Sequence, residues 1–234
     1  MSAHQTASEN QNPKEASQPL RHKPMSASPR GLIVTGTDTN VGKTYVSAAL
    51  LNAAKTYFSA PAYWKPIQTG QDDDTLTVEG LSQGKTFSPA YRFQAPLSPH
   101  LAAAREGQRI SESVLHEAKS IREKETDFLI IEGAGGWLVP LRDDLKFGQV
   151  AAHWNLPVVV VIKDILGALN HTLLTLEAIQ SRGLQVKGLI LNQRVDEVGN
   201  FEALLGLCRD LPLWSLPPRS GLTCEPVSWH PLFS

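Results

Sequence analysis

Sulfur is scarce in this chain, with two cysteines, Cys208 and Cys224, and two methionines among 234 residues. Neither thiol sits in a CxxC pair or a metal-ligand spacing, so no disulfide framework or zinc site is suggested and the compartment reads as reducing. An excess of one charge is also missing, because 22 Lys plus Arg stand against 23 Asp plus Glu. A net charge of −1 supplies no broad field for nucleic acid or an anionic membrane surface, which favours a small-molecule partner. Long apolar runs are absent as well. The longest, residues 156–162, is far shorter than a bilayer requires, and the N-terminus has no apolar stretch like a signal peptide. A soluble cytoplasmic protein is expected, with neither nucleic acid nor membrane as partner.

Residues 1–30 are Ser, Gln, Asn, Pro and Lys with almost no large apolar side chain. Burial there cannot offset the entropy of ordering, so a disordered leader is expected. The alternatives are a start at Met25 or a transit peptide. Glu9, Glu15 and the lack of an Arg-rich amphipathic period weigh against the transit peptide. From residue 31 to 234 the length suits one domain with one α/β core.

Within that domain short β-rich runs alternate with helical periods, the pattern of a parallel sheet covered by helices on both faces. Strands are predicted over residues 31–35, 62–66, 128–132, 157–163 and 186–192, and helices near 43–58, 111–123 and 170–182. Ile110, Val114, Ala118 and Ile121 recur at helical spacing, as do Leu169, Leu173 and Leu176. The segment 158–162 is apolar at every position, as a strand buried on both faces requires. Between 72 and 94 the periodicity fades, predicting loop and short irregular helix over the site. The Pro- and Trp-rich tail from Leu211 carries no assignable regular structure.

The first strand runs into Gly36-Thr37-Asp38-Thr39-Asn40-Val41-Gly42-Lys43-Thr44, which matches G-x-x-x-x-G-K-[ST] with strand and helix in the required order. Glycines let the amides of residues such as Asn40, Val41 and Gly42 curl round phosphate oxygens at a helix N-terminus. Lys43 neutralises the β and γ oxygens, and the Thr44 hydroxyl ligates magnesium. Nucleotide binding follows, whereas the loop by itself does not choose among kinase, ligase, motor and switch.

Two further strand ends narrow the choice. The third strand ends in Glu132 followed by Gly133, Ala134, Gly135 and Gly136, a carboxylate at the sheet edge where ligands bind, beside glycines that allow close backbone approach. The second ends in Lys65, with the Thr69 hydroxyl four residues on, placing a second cation where it can hold a negative substrate group against the γ-phosphate. Any one of Asp72, Asp73 and Asp74 can join Glu132 and Thr44 on magnesium.

Taken together, GTDTNVGKT, YWKPIQTG, APLSPH, IIEGAGGWLVPL and LGALNHTLLT, in that order and spacing over roughly residues 31–192, resemble the dethiobiotin synthetases. The resemblance implies a P-loop fold and an ATP- and Mg2+-dependent cyclo-ligase of biotin biosynthesis that acts on 7,8-diaminopelargonate and CO2. It implies Lys43 and Lys65 as the residues holding the carbamate and the transferring phosphoryl group. Thr44, Glu132 and Asp74 are implied as metal ligands, Thr69 as a substrate contact, and Asn192 with Pro217, Pro218 and Arg219 as the adenine pocket. It further implies a homodimer in which the 167–171 helix start receives the substrate carboxylate, although Asn170 reads equally well as an ordinary helix cap.

His100 reads as structural, both cysteines as inert thiols, and Trp137 and Trp154 as packing residues. The rival reading is a partitioning switch of the same fold branch. Its signature lysine early in the loop is replaced here by Asp38. A glutamine-using ligase is disfavoured because about forty residues after Asn192 cannot hold a second catalytic domain.

Overall fold

The computed structural model describes residues 30–195, 198–218 and 229–233. Its frame is a seven-stranded sheet in which every neighbouring pair is parallel. The strands are β1 (Gly31–Gly36), β2 (Pro61–Trp64), β4 (Lys85–Phe87), β6 (Phe128–Gly136), β9 (Val158–Lys163), β10 (Val186–Asn192) and β11 (Leu213–Leu216), arranged β11-β10-β9-β1-β6-β2-β4. Strand order reverses about β1, so the crevice at its C-terminal end is where a ligand is expected in such a sheet. Short two-stranded pairs, β3 (Ile67–Thr69) with β5 (Tyr91–Phe93) and β7 (Pro140–Arg142) with β8 (Leu145–Lys146), lie outside it.

Alternation along β1 divides the interior. Leu32 and Val34 join one apolar cluster with α1 (Lys43–Ala54) and with Val78 of α2 (Asp74–Ser82), while Trp229 and Leu232 close that side around α8 (His230–Phe233). Ile33 faces the other cluster, which includes Ala102 of α3 (Pro99–Arg105), Leu115 of α4 (Glu112–Glu123), Val150 of α5 (Phe147–Trp154), Ile179 of α6 (Ala168–Gln180) and Leu204 of α7 (Asn200–Leu207). Helices thus cover both faces. No helix among the described residues is long and apolar enough to cross a membrane.

Several expectations need correcting. Residues 72–94 do hold a short helix, α2, but it is regular over nine residues, and the strands β4 and β5 stand where loop is expected. The amphipathic signal is weak there because α2 buries only Thr75, Val78 and Ser82. The tail contributes a true edge strand, β11, paired with β10 from Leu189↔Leu213 to Asn192↔Leu216. On α4 the buried face carries Leu115 and Lys119, while Val114 and Ile121 are 41% and 49% exposed. Leu173 of α6 is likewise exposed, and Thr172, Thr175, Leu176 and Ile179 face inward. Helix existence is therefore right in both cases, and Ala118, Leu169 and Leu176 do pack on the core, whereas Val114, Ile121 and Leu173 point away because the sheet selects the face that packs.

Candidate active site

The phosphate loop leaves the C-terminal end of β1 and enters α1 through Asn40 and Gly42, whose φ angles of 58° and 94° are left-handed. Gly42 is also sterically required, since a Cβ there would lie 2.0 Å from Asn192 Nδ2. That same Nδ2 donates to Val41 O at 2.9 Å and ties the end of β10 to the loop. Lys43 Nζ curls back to donate to Asp38 O at 3.0 Å. Burial strips water from this ammonium and lowers its pKa to about 8, against the raising pull of Glu132 and with a smaller depression from Lys65.

A cluster of charge lies beside the loop. Thr44 Oγ1 is 2.9 Å from Asp74 Oδ1 and 3.1 Å from Glu132 Oε1. Lys65 Nζ donates to Asp74 Oδ2 and lies 3.3 Å from Glu132 Oε1. Burial alone would lower the Lys65 pKa, but Glu132 and Asp74 outweigh it and raise it. The Asp74 pKa is lowered, because Lys65 and the Thr44 hydroxyl overcome the opposing effect of burial. Glu132 is 0% exposed. Its Oε2 accepts hydrogen bonds from the hydroxyls of Ser47 at 2.9 Å and Tyr63 at 3.0 Å.

The three aspartates separate by partner. Asp73 caps α2 by accepting from Leu76 N at 3.0 Å and pairs with Arg92 at 2.6 Å. Asp72 is exposed. Asp74 alone turns inward to Thr44 and Lys65.

A cavity of about 350 Å³ is lined by Asn40, Gly42, Lys43, Thr44, Lys65, Thr69, Asp74, Glu132, Ala134, Gly135 and Asn192. A neighbouring cavity of about 640 Å³ shares Thr69, Asp72 and Gly135 with it and extends past Gln94 and Pro96 to Val139. Three predicted site residues stand apart from these walls. The Val41 side chain is buried in the apolar core, so only its backbone is available to the loop. Gly133 faces Phe147, whose ring would lie 2.8 Å from an added Cβ, so it serves packing. Pro217 follows β11 and lines neither cavity. Arg219 and Cys224 lie outside the described residues.

Four residues lining or supporting the site escape the sequence reading. Ser47 follows Lys43 by one helical turn, a spacing that could have flagged it. Tyr63 and Gln193 carry no motif, and Gln68 lies within the strand-end run without a distinguishing signal. Glu132 belongs to the interior of β6 rather than its end, although the β1 pairing turns irregular just beyond it, between Val34 and Gly36. Asn170 is not a cap. It lies inside α6, whose N-cap is Gly167, with φ 91° and no side-chain hydrogen bond.

The remaining candidates are structural. His100 Nδ1 and Ser98 Oγ are 3.1 Å apart, and His100 lines a different cavity, with Arg109 and Arg142. Trp137 and Trp154 are buried in the core, where their indole nitrogens donate to Ala178 O and His116 Nδ1. Cys208 is buried after α7, and burial raises its pKa.

A family model described as an AAA domain matches residues 30–223. The ATP-dependent dethiobiotin synthetase of Rhodopseudomonas palustris BisA53 is 38% identical over 204 residues, covering 85% of this chain and 90% of that protein. The chain belongs to the dethiobiotin synthetase family. The dethiobiotin synthetase of Nitrobacter hamburgensis is 42% identical over 163 residues, 68% of this chain and 72% of its own. That of Escherichia coli O157:H7 is 39% identical over 171 residues, 68% and 76% respectively. As a member of that family the chain is an ATP-dependent ligase. Its architecture also resembles a plasmid partition protein of Borrelia burgdorferi B31 bound to AMPPNP, with TM-score 0.57, 10% identity and coverage of 88% and 95%. The Aquifex aeolicus MinC:MinD complex gives TM-score 0.53, 11% identity and coverage of 81% and 82%. At those identities the likeness concerns fold alone.

Proposed function

We propose that this synthetase closes the ureido ring of dethiobiotin from 7,8-diaminopelargonate, CO2 and ATP, with Mg2+ at the phosphate loop. The observation that carries this reading is the meeting of Lys65 with Thr44, Asp74 and Glu132 on the wall of one cavity, which adjoins a second along Thr69, Ala134 and Gly135. One cavity suits a polyphosphate and the other an aliphatic chain.

The donor set suits magnesium. Thr44 Oγ1, Asp74 Oδ1 and Glu132 Oε1 converge as hard oxygens, and a single hydroxyl proton cannot be given to both carboxylates at once. Held by these three residues, the metal would supply positive charge to offset that of the phosphates. Amides of residues 40–44 cradle the phosphates at the start of α1. Lys43 holds the β and γ oxygens, while Lys65 draws the carbamate towards the γ-phosphoryl group. Adenine packs near Asn192, a role supported by its buried Oδ1, which has no hydrogen-bond partner among the described residues.

The substrate's own amine captures CO2 as a carbamate. A carbamate oxygen then takes the phosphoryl group and releases ADP. Attack by the second amine at the carbamoyl carbon expels phosphate and closes the ring. Thr69, on the wall shared by both cavities, contacts the substrate.

A cytoplasmic homodimer completes this reading, with residues 31–234 as its folded unit. Its support is the exposure of apolar side chains near α6: Leu138 and Leu174 line one open groove, and Leu166, just before that helix, is 98% exposed. The first-turn amides of α6, uncapped by any side chain, suit a carboxylate there.

ADP release is measured with diaminopelargonate and bicarbonate added in all four combinations, with Lys65→Ala in parallel. Turnover that needs both, and that is lost in the variant, supports the assignment. Turnover indifferent to both additions overturns it.

A further inference from the structure

We infer that Tyr63 and Ser47 form a two-hydroxyl clamp that closes one oxygen of Glu132 and presents the other to the divalent cation. They are thus positioning residues for the metal. The inference rests on the reading of Glu132 as a metal ligand.

The geometry is specific. A carboxylate with no exposed surface must find donors inside the protein or lose its charge. Glu132 finds them unevenly, since the Ser47 and Tyr63 hydroxyls both donate to Oε2, at 2.9 and 3.0 Å. Two hydroxyl protons occupy the lone pairs of that oxygen. Oε1 is left facing Thr44 Oγ1 at 3.1 Å and Lys65 Nζ at 3.3 Å, on the side of the loop. The carboxylate plane is therefore fixed with a single oxygen presented, which selects monodentate over bidentate ligation. A small octahedral cation that demands regular geometry benefits from that constraint.

The placement of the donors reinforces the argument. Ser47 lies one helical turn beyond Lys43 in α1, and Tyr63 two residues before Lys65 in β2. The segments that carry the two cations therefore also carry the two hydroxyls that aim their shared carboxylate. Removing either hydroxyl leaves Oε2 short of a partner in a dry site and lets the carboxylate rotate.

The test uses the full chain with ADP bound and Mn2+ as the metal probe, followed by electron paramagnetic resonance. Calorimetric ADP binding in EDTA runs alongside. Tyr63→Phe and Ser47→Ala are each expected to weaken Mn2+ binding by about tenfold or more, the usual effect of removing a residue that orients a metal ligand. Metal-free ADP binding stays within about twofold of the original, and Ser47→Thr recovers the Mn2+ affinity lost in Ser47→Ala. Glu132→Gln separates the two readings. Loss of Mn2+ in Glu132→Gln with unchanged affinity in both hydroxyl variants overturns the clamp alone. Unchanged Mn2+ affinity in Glu132→Gln overturns the ligand assignment beneath it. A parallel loss of metal-free ADP binding in the hydroxyl variants means general support of the loop and also overturns the clamp.

Discussion

The two halves of the site are built differently. The phosphate loop is a continuous stretch from Gly36 to Thr44 whose function follows from backbone shape, including the left-handed turns at Asn40 and Gly42. The carboxylate cluster is assembled from four separate segments, with Ser47 on α1, Tyr63 and Lys65 at β2, Asp74 on α2 and Glu132 on β6. A continuous motif tolerates little change at its glycines and announces itself in sequence. An assembled cluster depends on how neighbouring strands and helices present single side chains.

The largest effect expected from breaking this comparison is at Lys65. Lys65→Ala removes the cation from one buried and one half-buried carboxylate, and kcat should fall by roughly 10²–10³, as for loss of one preorganised electrostatic donor. Steady-state ADP release checks it. On the continuous side, Gly42→Ala forces a left-handed φ on alanine and a clash with Asn192, at a cost of roughly 1–3 kcal/mol concentrated in the loop. Calorimetry should find nucleotide binding lost before the fold is.

The adjacent aspartates sharpen the contrast. Asp74→Ala should abolish metal-dependent turnover. Asp73→Ala should leave turnover intact and cost about 1 kcal/mol of stability, because it removes the N-cap of α2. Chemical denaturation and activity together distinguish the two.

Titration of Lys43 gives a smaller, graded effect. Its folded pKa of about 8 lies below the ordinary value of 10.5, so between those pH values the unfolded chain keeps a proton that the folded chain has released. This group therefore adds stability as pH rises from about 8 to 10.5 and adds no slope below that window. Nucleotide binding moves in the opposite direction, because phosphate requires the ammonium. ADP affinity should decline above about pH 8 by up to about tenfold per unit for one proton. Smallest of all, Ile121→Lys on the exposed face of α4 should change stability by no more than about 0.5 kcal/mol, measured by thermal melting.

Legibility in sequence follows the same division. The loop, the buried strand β9 and the charged positions Lys65 and Glu132 are readable because each rests on local pattern: glycine spacing, an unbroken valine run, a charge after an apolar run, although Glu132 proves to lie inside β6 rather than at its end. Residue pattern alone does not separate Asp74 from its two neighbours; the family resemblance singles it out, and the docking of α2 shows that it is the carboxylate that meets Thr44. Tyr63 looks like any strand aromatic until its hydroxyl is seen against Glu132. Val114 and Ile121 fit a helical period as well as Leu115 does, and only the sheet decides that Leu115 is buried. Gly133 sits in a glycine-rich run that reads as room for close backbone approach to a ligand, whereas its lack of a side chain makes room for Phe147.

The most direct test of ring closure at this site is to supply labelled bicarbonate with diaminopelargonate, Mg2+ and ATP, and to count label in acid-stable product against ADP formed. The account predicts one labelled carbon fixed per ADP, with both lost together in Lys65→Ala. ADP formed without label in the product would contradict it.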